Sequence, residues 1–233
     1  MIFLSFNLFP SENAIQKEQN LSVVIYETIK DKIIVGDLAP NTMLLERAIA
    51  VDFGVSRTPV REALKRLSLD GLILWEERRR AVVSDISEKD VVELFLMREM
   101  IEPFAIKKII EHGEPELLAG ILMPIVKEME NLKNSHVELM KQDMVFHSTI
   151  INYLGINKLS QMWQKISDEM TRVAIYALHA KRQPDTIIEE HKMLIDAFWH
   201  CDLERALSCI NGHHSNIIAA YKAKHDYKKN NDS

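Results

Sequence analysis

Gly54 lies between two stretches of helical apolar spacing, and this constrains the chain more than any other feature. Leu44–Phe53 and the segment from Ser56 to about Asp70 both repeat apolar residues every three or four positions, and Gly54 and Gly71 close them. Two short helices joined by a tight turn that contains glycine have the spacing of a helix-turn-helix. Ser56 or Thr58 can cap the second helix, with Pro59 tolerated in its first turn. Upstream, Val24, Ile25, Thr28, Ile29, Lys32 and Ile33 predict a helix over 21–35, ended by Gly36 and a turn at Asp37–Asn41. Downstream, the apolar runs Leu72–Trp75 and Ala81–Val83 flank Glu76–Arg80 and predict a small β-hairpin, or wing.

Beyond a boundary at Ile86-Ser87-Glu88 the chain reads as helical throughout. Helices are predicted at roughly 88–112, 115–134, 136–153, 157–181, 184–201 and 202–225, with breaks at Gly113-Glu114-Pro115, Asn134-Ser135, Gly155 and Gln183-Pro184. The expected fold is mainly α. A winged helix-turn-helix at 21–87 precedes a helical bundle of six or seven helices at 88–225, with tails at 1–20 and 226–233. A length of 233 residues suits two domains, and seven glycines and seven prolines are too few for a loop-rich β protein.

Cys201 and Cys209 form no CxxC pair, which fits a reducing compartment. The apolar start MIFLSFNLFP lacks a basic leader and a small-residue cleavage site, so a loose tail is expected rather than a signal peptide. No apolar run reaches the ~20 residues of a membrane span. The expected location is the cytoplasm, on the nucleoid when DNA is bound, with no membrane partner.

The net charge of −5 excludes a broad basic surface. Residues 21–87 carry ten basic and ten acidic side chains, yet Ser56–Leu69 holds Arg57, Arg61, Lys65 and Arg66 against Glu62 alone. Any DNA contact is therefore narrow and helix-based. Arg57 and Arg61, four apart, share a face near the helix start, opposite Val60, Leu64 and Leu67. A guanidinium there can bond guanine O6 and N7 together. Arg47 can reach the same groove edge or a phosphate, and Arg78, Arg79 and Arg80 sit at the hairpin tip. The candidate DNA-contacting set is Arg47, Ser56, Arg57, Thr58, Arg61, Arg78, Arg79 and Arg80. On spacing alone, an ordinary solvated charged face explains the arginines as well.

Three of the later helices place titratable groups on stripes that should be apolar. The inward stripe of 136–153 includes Asp143 and His147, that of 184–201 includes His191, and that of the last helix includes His213. His214 is an alternative to His213 but lies about 100° round the helix. One carboxylate and three imidazoles converging would be satisfied by a divalent metal, whereas each histidine alone would be an ordinary hydrogen-bonded core residue. Arg98 shares a stripe with Leu94, Ile101 and Ala105. Glu102, one turn on, could neutralise it, or the fork could hold an effector carboxylate.

Gly54-Val55-Ser56-Arg57-Thr58-Pro59-Val60-Arg61-Glu62-Ala63-Leu64, followed by Leu67 and Asp70-Gly71-Leu72, resembles the signature of the GntR family of bacterial regulators. The resemblance implies DNA contacts at Arg47, Arg57, Arg61 and the wing. Two positions depart from it: Asn41 follows Pro40 where Gly is usual, and Arg80 replaces the usual wing glycine. Residues 90–220 resemble the FCD ligand-binding domain of the FadR-like branch, through Arg98 with Glu102, Asp143-x-x-Phe146-His147, Gly155-x-Asn157, Glu190-His191 with Ile195-x-Ala197, and Asp202-x-x-x-Ala206 leading to His213.

That resemblance implies a metal held by Asp143, His147, His191 and His213, and an organic-acid effector near Arg98, Glu102 and Asn157. Zn²⁺ is the first candidate, with Ni²⁺, Mn²⁺ or Fe²⁺ as alternatives. The expected function is a homodimeric repressor that binds an inverted-repeat DNA operator and answers to a small acid. A metal-structured dimerisation domain without effector is one alternative. A helical metalloenzyme is another, disfavoured because no HExxH and no spare inward carboxylate other than Glu102 is present.

Overall fold

A computed structural model of the chain describes residues 12–76, 80–178 and 183–231. It divides into two compact units, Met1–Asp85 and Ile86–Ser233.

In the first unit, α1 (Glu12–Ile34) starts well before the expected position 21, so the backbone of 12–20 belongs to a helix rather than a tail. Ile25, Ile29 and Ile33 recur along its inner face and are buried with Val60, Leu64 and Leu67 of α3 (Arg57–Leu69). Between them lies α2 (Glu46–Asp52). Leu44 was expected to open α2. It belongs instead to a strand, β1 (Met43–Leu44), where its buried side chain packs into the core and its backbone pairs with Ala81. The wing is the antiparallel pair β2 (Ile73–Glu76) and β3 (Arg80–Val83), and the sheet order is β1-β3-β2.

The two departures from the family pattern have plain local readings. Asn41 has φ 68°, the left-handed conformation in which Asn is the usual substitute for Gly. Its N–H donates to the Val83 carbonyl at 2.9 Å, tying the turn to β3. Arg80 is the first residue of β3, opposite Glu76, so its backbone is extended and needs no glycine. Gly54 has φ 64°, as the tight turn between α2 and α3 requires.

In the second unit, six helices are present among the described residues. These are α4 (Glu88–His112), α5 (Pro115–Asn131), α6 (His136–Tyr153), α7 (Asn157–Leu178), α8 (Pro184–Trp199) and α9 (Leu203–Asn231). Ser87 starts α4 with a capping box: its hydroxyl accepts from Asp90 N–H, and the Asp90 carboxylate accepts from Ser87 N–H at 2.9 Å. The backbone of α9 stays helical to Asn231, past Lys222 where fraying was expected. Helix α4 packs on α6, α7 and α9, and α8 packs on α5 and α9. The inner faces of α4, α6, α8 and α9 therefore meet, and polar side chains interrupt the apolar core there.

Candidate functional site

In the N-terminal unit, the apolar side of α3 (Val60, Ala63, Leu64, Leu67) is fully buried, which turns Arg57 and Arg61 outward. Arg47, Ser56 and Thr58 are exposed as well, as is Arg80 at the start of β3. Arg78 and Arg79 lie outside the described residues. Ser56 is the N-cap of α3, without a side-chain capping bond, so its hydroxyl is not committed to the helix end. Arg61 is not a free cation: its Nε–H donates to Glu46 Oε2 at 2.9 Å. Behind the helix, the Tyr26 hydroxyl donates to Asp70 at 2.6 Å, and the Arg66 guanidinium lies 4.2 Å from the Tyr26 ring centre.

In the C-terminal unit, Asp143, His147, His191 and His213 are all buried, and one ligand atom from each lies within 4.8 Å of every other. The helical period explains this: Asp143 and His147 share one face of α6, and α8 and α9 each bring one imidazole to it. The other nitrogen of each ring is engaged. His147 Nδ1 lies 2.6 Å from Glu102 Oε2, His213 Nδ1 2.7 Å from Glu190 Oε2, and His191 Nδ1 2.6 Å from the Ile187 carbonyl. Carboxylates and carbonyls only accept, so in neutral rings each Nδ1 carries the proton and each Nε2 a lone pair.

The three Nε2 atoms then face one another, 3.2 Å between His147 and His213 and 3.4 Å between His191 and His147. Asp143 Oδ1 is 3.3 Å from His191 Nε2, yet neither Asp143 oxygen has a hydrogen bond, although both are buried. Lone pairs and a carboxylate cannot satisfy each other. A cation among them would, and fixing the outer nitrogen of each ring is how metal-binding histidines are held. The donor set fits a divalent metal.

Glu102 sits at the centre of the surrounding network. One of its oxygens meets His147; the other accepts from His214 Nε2 at 3.0 Å and from Arg98 Nε. Burial alone would push the Glu102 carboxyl up. Arg98, then His147 and His214, outweigh burial and hold it well below the usual carboxylate range. Burial lowers His214, against the pull of Glu102. Arg98 is fully buried, its guanidinium 5.9 Å from the ring centres of Phe95 and Trp163, and both terminal Nη atoms lack a hydrogen-bond partner. Glu102 thus neutralises Arg98 through Nε while the outer fork stays unfilled.

Asn157 stands apart. It opens α7 and is exposed, whereas Arg98, Glu102 and the four candidate ligands are buried. Two further residues belong to the site, His214, which the sequence offered only as an alternative to His213, and Glu190, to which it assigned no role. His214 is buried despite its offset from the stripe, because α9 is flanked by both α4 and α8. Glu190 holds His213, and its position beside His191 was its one visible signal.

The comparisons with known proteins agree with this division. Residues 21–83 match the model described as bacterial regulatory proteins, gntR family, and residues 93–216 match the FCD domain. The chain is 28% identical over 192 residues to the gluconate operon transcriptional repressor of Bacillus subtilis (strain 168), covering 75% of this chain and 73% of that one. It is 25% identical over 173 residues to the HTH-type regulator YdhC of the same organism, covering 73% and 77%. Its fold is similar to that of E. coli McbR/YncC, with a TM-score of 0.73 at 20% identity over 88% of this chain and 98% of that one. Outward arginines on a glycine-turned helix, followed by a helical bundle, and the two matched domains give one conclusion: the chain belongs to the GntR family of DNA-binding bacterial transcription regulators and carries a C-terminal FCD domain.

Proposed function

We propose that this regulator is a homodimeric repressor whose grip on an inverted-repeat operator is set by a small organic acid bound beside a divalent cation. Residues 21–87 read the operator and residues 88–225 take the ligand. The observation that carries the reading is two buried groups without hydrogen-bond partners, the Asp143 carboxylate, beside which His147, His191 and His213 gather, and the two Nη atoms of Arg98. Asp143, His147, His191 and His213 would hold the metal, with Zn²⁺ first and Ni²⁺, Mn²⁺ or Fe²⁺ as alternatives. A bound divalent ion supplies positive charge and a coordination position for an anionic group. Arg98 supplies two donors in fork geometry to a carboxylate, and Glu102 holds both Arg98 and His147 in place.

Operator reading falls to Arg57 and Arg61 at the start of α3, with Arg47, Ser56, Thr58 and the wing arginines on flanking phosphates. A single recognition helix reads few base pairs, so two-fold symmetry doubles the site. Val92, Leu96, Met100 and Phe104 form an exposed apolar stripe at four-residue spacing on α4, which supports a paired state. No described helix is long and apolar enough to cross a membrane, and the proposed location is the cytoplasm, on the nucleoid.

The test is thermal unfolding of the full chain with a panel of small acids, starting with gluconate because a relative carries that name, with and without chelator. An acid should raise the melting temperature only when metal is present. Arg98→Ala should keep the metal and lose the acid response. Stabilisation by an acid that survives both chelation and Arg98→Ala would refute the reading.

A further inference from the structure

The ion pair between Glu46 and Arg61 joins the first turn of α2 to the exposed face of α3. Its side chains are 22% and 51% exposed, so as a surface pair it adds little to folding stability. Its geometry is more informative than its energy. A guanidinium has two forked edges, one formed by Nε and a neighbouring Nη, the other by the two Nη atoms. Glu46 engages Nε and so leaves the outer edge free, the one that pairs with guanine O6 and N7. An unheld arginine on a helix surface samples many rotamers and turns readily to the nearest phosphate.

We propose that Glu46 is a positioning residue that sets the base specificity of α3. It holds Arg61 with the outer fork toward a base edge, and its negative charge discourages contact with phosphates. The same carboxylate then strengthens binding to the right sequence and weakens binding to every other one. The inference rests on α3 being the base-reading helix.

The test uses the full chain and a randomised duplex pool, from which wild-type protein selects its preferred DNA. The selected duplex and a scrambled duplex of the same composition are the two probes. Glu46→Ala should bind the selected duplex about tenfold or more weakly. It should bind the scrambled duplex as well as wild type or better, because a negative charge near DNA is gone. Reselection with Glu46→Ala should lose the preference for guanine at one position of each half-site. Glu46→Gln keeps an acceptor for Nε–H and should retain most of that preference while still binding scrambled DNA more tightly. A merely structural role would lower the melting temperature and both affinities together.

The proposal is overturned if Glu46→Ala keeps the guanine preference, or if it binds the selected duplex more tightly, which would mean that Glu46 withholds Arg61 from DNA. Arg61→Ala separates the two levels. If it leaves selected binding unchanged, the reading of α3 fails; if it weakens binding while Glu46→Ala does not, only the role of Glu46 fails.

Discussion

Glu102→Met should be among the most damaging single substitutions in the C-terminal unit. The carboxylate is buried and serves three donors at once: Arg98 Nε, His147 Nδ1 and His214 Nε2. Its removal leaves a fully buried guanidinium with no anion, and breaking a buried ion pair from one side costs about 3–5 kcal/mol. Arg98→Met removes the other partner but leaves Glu102 two imidazole donors, so the loss is nearer that of one charge-assisted hydrogen bond, about 1.5–3 kcal/mol. Introducing Arg98→Met into the Glu102→Met background should then be neutral or stabilising, because the stranded cation disappears. For a protein of this size, the Glu102→Met loss corresponds to a fall of about 6–20 °C in melting temperature. Urea unfolding followed by circular dichroism, in chelator and at one protein concentration, measures the three variants without contributions from metal binding or altered association. If Glu102→Met stays within about 0.5 kcal/mol of wild type, or Arg98→Met is the costlier change, the account of this network is wrong.

Other predictions address single contacts. Ser87→Ala removes the α4 capping box and should cost about 0.5–2 kcal/mol in the same assay. Ser87 holds the Asp90 carboxyl below its usual value, so the contribution from Asp90 is present above the ordinary carboxylate range and lost as pH falls through its lowered value; Asp90→Asn should abolish that acid-side loss. Burial and the bond to Asp70 push the Tyr26 hydroxyl up to about 12, so its contribution holds below pH ~10 and is lost as pH rises towards 12. Ultraviolet titration should show a late tyrosine component that Tyr26→Phe removes and Asp70→Asn shifts down; an unchanged titration in both variants would refute the assignment. Arg57→Ala and Arg61→Ala should each weaken operator binding by about 1–3 kcal/mol in fluorescence anisotropy, and unchanged affinity in both would refute the reading of α3.

Helices were legible in the sequence wherever apolar periodicity met a stop signal. Gly54, Gly71 and Gly113 mark ends that the structure keeps, and the stripes holding Asp143, His147, His191 and His213 placed those residues on inner faces that do converge. Short and context-dependent features were harder to read. Leu44 fits a helical spacing as well as a strand, and only pairing with Ala81 decides for β1. Pro10 and Ser11, a breaker and a favoured N-cap residue type, stand directly before Glu12, but no clear apolar stripe follows them until Val24, so the segment read as a tail. His214 looked peripheral because a single-stripe argument assumes one buried face, whereas α9 is covered by both α4 and α8. Contacts between residues far apart in sequence, Glu102 with His147 or Glu46 with Arg61, leave no periodic trace and became visible only once the helices were placed.

The most direct test of the central claim is the metal content of full-length protein purified without chelator, measured by inductively coupled plasma mass spectrometry for wild type, His147→Ala and His213→Ala. A stoichiometric divalent metal in wild type and its loss from both variants is the predicted result. The same metal content in all three proteins would contradict it.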